Sequence, residues 1–220
     1  MKSIAAATTQ RARSIAILVE GETEERALFP LLREFLGKQL AGTMPKLLPL
    51  RCDGRVPKGD ELRRRVKGLL EDRHDAVIAL TDAYTGTKDF IDAADAKRKM
   101  REWVGEEDRF HPHVALHDFE AWLLPYWADI QRLAGTNRAA PASDPETVNH
   151  DKPPAEVLKE IFRTGTKGRR YVKTRDAVTI LRGKDIVVAA AACSELRAFL
   201  NTVLVCAGGS AWAPDVKAPR

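Results

Sequence analysis

Three apolar runs in this chain end in carboxylic acids, and that pattern is the chemistry to be explained. The run 15–19 (IAILV) is followed by Glu20, Gly21, Glu22, Glu24 and Glu25. The run 76–81 (AVIALT) ends in Asp82, and 113–117 (HVALH) leads into Asp118, Phe119 and Glu120. Carboxylates brought to one place supply the hard oxygen ligands that magnesium or manganese takes. The same residues also have plain readings. Acids suit the positive end of a helix dipole, Asp118 suits a helix N-cap, and Glu20 suits a solvated strand end.

The elements that must position these acids follow from the apolar spacing. Residues 15–19 and 76–81 are short and apolar throughout, as are strands buried on both faces of a parallel sheet. After Gly21 the period changes. Leu28, Leu31, Leu32, Phe35 and Leu36 recur every three or four residues, the stripe of a helix packed on the sheet, with Thr23 placed to cap its first turn. Residues 46–51 (KLLPLR) read as a strand that Pro49 confines to an edge. Asp60 opens a helix with Leu62, Val66, Leu69 and Leu70 on one face. Residues 88–104 read as a surface helix anchored by Trp103, and Phe119 as the start of a helix turning Trp122, Leu123 and Tyr126 inward. Parallel strands deliver their carboxyl ends to one edge, so Glu20 and Asp82 are expected to face each other.

Alternation of strand and helix predicts an α/β fold with a mainly parallel central sheet flanked by helices. We divide the chain into a flexible arm at 1–13, an α/β core at 14–134, a loop and helical extension at 135–206, and a flexible tail at 207–220. The extension is read as a helix at 154–162 and two more separated at Gly183. No stretch is long and apolar enough for a membrane span or a secretory signal. Cys52, Cys193 and Cys206 are odd in number and lack metal-ligand spacing, which suggests a reducing cytoplasm.

The net charge of +5 permits a polyanionic partner. Its densest sources are Arg63, Arg64 and Arg65 in one helix and Lys167, Arg169 and Arg170 in the loop 164–173 (TGTKGRRYVK). Either group suits phosphate contact or a solvated surface. His111, His113 and His117 alternate along one run, but no cysteine or second histidine pair completes a zinc site. They are read as structural or, for His117, as a substrate contact.

In this order LVEGETEE, ALTDAY, ALHDFEAWLL, the segment 153–159 (PPAEVLK) and Tyr171-Val172-Lys173 resemble the Toprim-like family known as domain of unknown function 4276. The likeness runs from about Ser14 to about Val205. The first motif is also similar to the glutamate motif of Toprim domains in topoisomerases, primases and the overcoming-lysogenization-defect nucleases. The resemblance implies a Toprim fold and a magnesium- or manganese-dependent nuclease acting on phosphodiesters. Glu20 and Glu24 match the glutamates of the first motif, and Asp82 matches the first aspartate of Toprim's Asp-x-Asp. Tyr84 stands where the second would be, so Asp118 or Glu120 would supply the missing charge. Lys173, or else Lys159, corresponds to the lysine that steadies transition-state charge in the nuclease relatives.

The resemblance further implies nucleic acid as partner and an ABC- or SMC-type ATPase, as in bacterial anti-phage defence systems, because this sequence has no phosphate-binding loop of its own. Self-association is left open. The rival readings are a non-catalytic Toprim-fold subunit of an ATPase complex, which Tyr84 favours, and a nucleotide- or signal-binding α/β domain.

Overall fold

The computed structural model describes residues 12–85, 87–141, 144–147 and 152–213. Strands β1 (Ser14–Val19), β2 (Lys46–Arg51), β3 (Ala76–Ala83) and β4 (Phe110–Leu116) form one sheet in the order β2-β1-β3-β4. Every neighbouring pair is parallel, so the sheet expected to be mainly parallel is wholly so among the described residues. Pro49 lies in β2 opposite Ile17, and β2 is at the edge, where a missing N–H leaves no interior ladder broken.

Helices α1 (Glu22–Gln39), α2 (Gly59–Glu71) and α3 (Ala93–Val104) make the crossovers. Alternation along β1 divides the core in two. Ile15, Ile17 and Val19 join α1 and the C-terminal helices, whereas Ala16 and Leu18 join Leu62 and Val66 of α2 and Met100 of α3. These strands read as unbroken apolar runs because both of their faces are covered.

The helix starts differ in detail from the sequence reading. In α1 the N-cap is Gly21, and Glu24 closes the turn by accepting the Gly21 amide at 3.0 Å, so Thr23 lies buried inside the first turn. In α2 the cap is Lys58, with Asp60 in the first turn. Only the last part of 88–104 is helical, starting after Asp92, whose side chain accepts the Asp95 amide. Trp103 does pack beside Phe90, with ring centroids 6.4 Å apart.

The helix expected from Phe119 is a 3-10 helix over Phe119–Tyr126, and an α-helix, α4 (Trp127–Ala134), begins only after it. Seven of those eight residues are buried, so no solvent face sets a period. The C-terminal region contains α5 (Pro154–Thr164), α6 (Lys173–Leu181), α7 (Ile186–Ala192) and α8 (Ser194–Cys206). The break at Gly183 is present, and a second at Cys193 makes three helices where two were read. Glu146 fastens this layer. Its carboxylate accepts the Trp122 indole N–H, the Ser194 hydroxyl and the Glu195 amide that opens α8.

At the opposite end of α8, Arg13 Nη1 donates to the Cys206 carbonyl at 3.0 Å. Trp212 packs edge-on to Phe35 at 5.4 Å, and its amide donates to Asn201. Residues 1–11 and 214–220, most of the expected arm and half of the tail, lie outside the described residues. No helix among the described residues is long and apolar enough to cross a membrane.

Candidate active site

Adjacency of β1 and β3 places Glu20 beside Asp82 at the carboxyl edge. Glu20 Oε1 accepts the Thr81 hydroxyl at 2.5 Å and the Asp82 amide at 3.0 Å. Asp82 Oδ1 in turn accepts the Phe119 amide at 3.0 Å, which ties β3 to the 3-10 helix. The turn between β4 and that helix contains His117 in the left-handed region, at φ 70°, with its amide bonded to the Ala83 carbonyl. A non-glycine residue there is strained unless the surroundings hold it. The turn directs Asp118 and Glu120 into the protein, and both are fully buried.

Asp118 occupies the N-cap position, as read from sequence, and its Oδ2 accepts the Ala155 amide of α5 at 3.1 Å. Its Oδ1 is buried with no hydrogen-bond partner. Glu120 Oε1 accepts the Tyr171 hydroxyl at 3.3 Å, and Glu120 Oε2 lies 2.9 Å from Lys173 Nζ. The carboxyl-edge crevice thus gathers Glu20, Asp82, Asp118 and Glu120 around one paired lysine, with Glu24 close enough for its charge to act on Glu20 and Glu120.

Crowding of partly and fully buried acids has the expected effect on protonation. Burial raises Glu20 above the usual carboxylate range. Burial, then the charge of Glu20, raises Asp82 well above it. Burial and the neighbouring Glu120 push Asp118 to about 7. Burial raises Glu120 even though Lys173 works against it. Burial alone would lower Lys173, but Glu120 and Asp82 more than reverse this and hold the ammonium above its ordinary value. Tyr84 is raised too, by burial and by Asp118 and Asp82, so its phenol stays neutral.

The donor set is all oxygen, it holds more negative than positive charge, and one buried carboxylate oxygen lacks a partner. In chemistry it fits a hard divalent cation. Among the described residues, however, no three Asp, Glu, His or Cys side chains are arranged to hold an ion as they stand. The hydrogen bonds above account for this. Glu20, Asp82, Asp118 and Glu120 each accept a hydrogen bond from a protein donor.

The other residues singled out from sequence are distributed more widely. Glu25 pairs with Arg51 on β2. Lys159 pairs with Glu156 on the surface of α5. Arg63 donates to the Trp103 carbonyl and Arg65 to the Arg51 carbonyl, while Arg64 lies between them on α2. Lys167 donates to the Arg132 carbonyl. Arg169 stacks 4.6 Å over the Phe162 ring and pairs with Asp176. Arg170 is exposed, and His117 is only 1% exposed.

Two residues outside the sequence-derived set belong to the site. Thr81 orients Glu20, and Tyr171 reaches Glu120. An aromatic residue beside Lys173 in an otherwise polar loop is a signal that could have singled out Tyr171. His113 bonds Thr202 and packs against Phe199, and burial pushes its pKa down to about 3, in keeping with the structural reading.

Fold and site together define an open parallel α/β protein with four acids, two of them fully buried, at its carboxyl-edge crevice. The chain belongs to the family described as Domain of unknown function (DUF4276), which matches residues 19–204. Among solved structures it is similar to the C-terminal region of the Burkholderia pseudomallei OLD protein, at 17% sequence identity. That match covers 86% of this chain and 99% of the other, with a TM-score of 0.45. No curated protein matches it.

Proposed function

We propose that this protein is a magnesium- or manganese-dependent nuclease of Toprim type that hydrolyses nucleic acid phosphodiesters. The observation that carries the reading is the convergence of Glu20, Asp82, Asp118 and Glu120 at one sheet edge, with their protons held unusually tightly and an Asp118 oxygen unpartnered. These four, with Glu24, would hold the ion. When bound there it would supply Lewis acidity toward a phosphoryl oxygen and the leaving group.

The chain's own residues prepare the rest. The Thr81 hydroxyl and the Asp82 amide fix Glu20 in orientation. Lys173, 40% exposed at the start of α6, holds a positive charge against Glu120 on one side and offers it to solvent on the other. There it would steady negative charge developing on the phosphate. Full burial of Asp118 and Glu120 keeps bulk water off these two, which strengthens the charge interactions they make.

In the motif resemblance lies the support for an ATPase partner and a part in anti-phage defence. A second reading, a non-catalytic subunit of such an ATPase complex, is favoured by Tyr84, which lines the crevice as a neutral phenol where Toprim domains carry an acid.

The test is incubation of the purified protein with plasmid and single-stranded nucleic acid in magnesium or manganese, wild type beside Glu20→Gln. Cutting that needs the ion and falls at least a hundredfold in Glu20→Gln is the expected result. Full cutting by Glu20→Gln would refute the site assignment. Absence of cutting by folded wild-type protein would favour the partner-subunit reading.

A further inference from the structure

A cavity of about 410 Å³ opens directly beside the acids. Glu20, Thr81 and Asp82 form one side, and the loop holding Arg55 and Lys58 forms the other. Its aromatic lining comes from Tyr84, Phe90 and Trp103. Phe90 is buried and braced by Trp103, whereas Tyr84 is 42% exposed, the side chain of a large residue left open to solvent at the mouth of a charged site. Lys58 Nζ stands 5.4 Å over the Phe90 ring. Arg55 and Lys58 share one counter-charge, Asp89, at 3.5 and 2.9 Å. That wall therefore keeps a positive excess opposite the acids.

An occupant that suits all of these surfaces has a flat aromatic face, an anionic link and the size of one small ligand. A nucleotide unit meets each requirement: base against the aromatic side chains, phosphate toward Arg55 and Lys58. A base within a duplex already has both faces covered by its neighbours and cannot enter. A base of a single strand can. We propose that the cavity is the subsite for the nucleotide next to the scissile phosphodiester, that Tyr84 is its stacking wall, and that the substrate is single-stranded nucleic acid. This rests on the nuclease reading of the acids. It also assigns Tyr84 a task, stacking on a base, that an aspartate at that position could not perform.

The experiment measures fluorescence anisotropy of a short fluorescein-labelled single strand, the same strand in a duplex, and a free mononucleotide as competitor. Calcium replaces magnesium, to suppress cutting. Expected are tighter binding of the single strand than of the duplex, weak competition by the mononucleotide, and a loss of about ten- to a hundredfold in single-strand affinity for Tyr84→Ala. Lys58→Gln should weaken binding and lower the salt slope by about one. Circular dichroism confirms that each variant is folded.

Equal affinity for duplex and single strand, or unchanged binding by folded Tyr84→Ala, would overturn the inference. So would a mononucleotide that binds as tightly as the strand, which would mark the cavity as a site for free nucleotides. Cutting assays with Glu20→Gln separate the two levels. If cutting depends on Glu20 but binding ignores Tyr84, the subsite fails and the nuclease stands. If binding depends on Tyr84 and the folded wild type never cuts, the cavity stands as a single-strand-binding site, and both the nuclease reading and the placement beside a scissile bond fail.

Discussion

Replacing Asp118 by asparagine should make the protein more stable in alkaline solution, although it removes a fully buried group at the centre of the site. Asp118 Oδ2 accepts the Ala155 amide, a bond the carboxamide oxygen can retain, and Oδ1 has no partner to lose. Burial and Glu120 raise its pKa from 3.8 to about 7, roughly three tenfold steps at about 1.4 kcal/mol each.

The folded protein thus binds this proton more tightly than the unfolded chain does. The group's contribution to stability is complete below about pH 4 and is lost as pH rises through about 7, to a total of about 4 kcal/mol. Asp82 and Glu120 are raised by the same crowding, so one substitution should recover about half of that. The expected gain for Asp118→Asn is about 2 kcal/mol at about pH 8, a rise in melting temperature of roughly 4–8 °C, and close to none at about pH 3.5. The assay is a thermal melt of both proteins at the two pH values in a chelator. Added magnesium should then stabilise the wild type more than the variant, because a ligand favours the state that binds it. A variant that melts at or below the wild-type temperature at the higher pH would refute the account of the acids as mutually repelling and short of positive charge.

Lys173→Met should reduce cutting by about a hundredfold and cost about 1–3 kcal/mol of stability, since it leaves Glu120 buried without its cation. Adding Glu120→Gln should restore the melting temperature but not the cutting, which a double-mutant cycle of melts and rates would measure. Glu146→Ala should destabilise by about 3 kcal/mol, because the Trp122 indole, the Ser194 hydroxyl and the Glu195 amide lose their acceptor together; urea unfolding reads this directly. Gly165→Ala should cost about 2 kcal/mol or more in the same assay. Its φ of −66° suits any residue, but a Cβ there would lie 2.2 Å from the Ala134 carbonyl oxygen.

The sheet was legible because its signals are local. Strands covered on both faces leave continuous apolar runs, Pro49 marks an edge, and parallel strands place successive carboxyl ends together, which sufficed to bring Glu20 to Asp82. The 3-10 helix was not legible. Phe119, Trp122, Leu123 and Tyr126 have α-helical spacing, but with nearly every residue buried the spacing distinguishes nothing. The basic loop 164–173 was read for its charges. Asp176 engages the charge of Arg169, and the loop also carries Tyr171 and Lys173 to Glu120, which its charges did not announce. Contacts such as Glu146 with the start of α8 join residues about fifty positions apart, and no periodicity encodes them.

Arg13 and the end of α8 have one more consequence. Because all four strands are parallel, the edge where Arg13 grips the Cys206 carbonyl is the one remote from Glu20 and Asp82. The first and last described segments of the chain therefore meet on the back of the molecule. By the same geometry, a fluorophore or an affinity handle attached near either position would stand a full strand length from the acids, so that cutting and binding can be followed on a tethered protein without the tether entering the crevice.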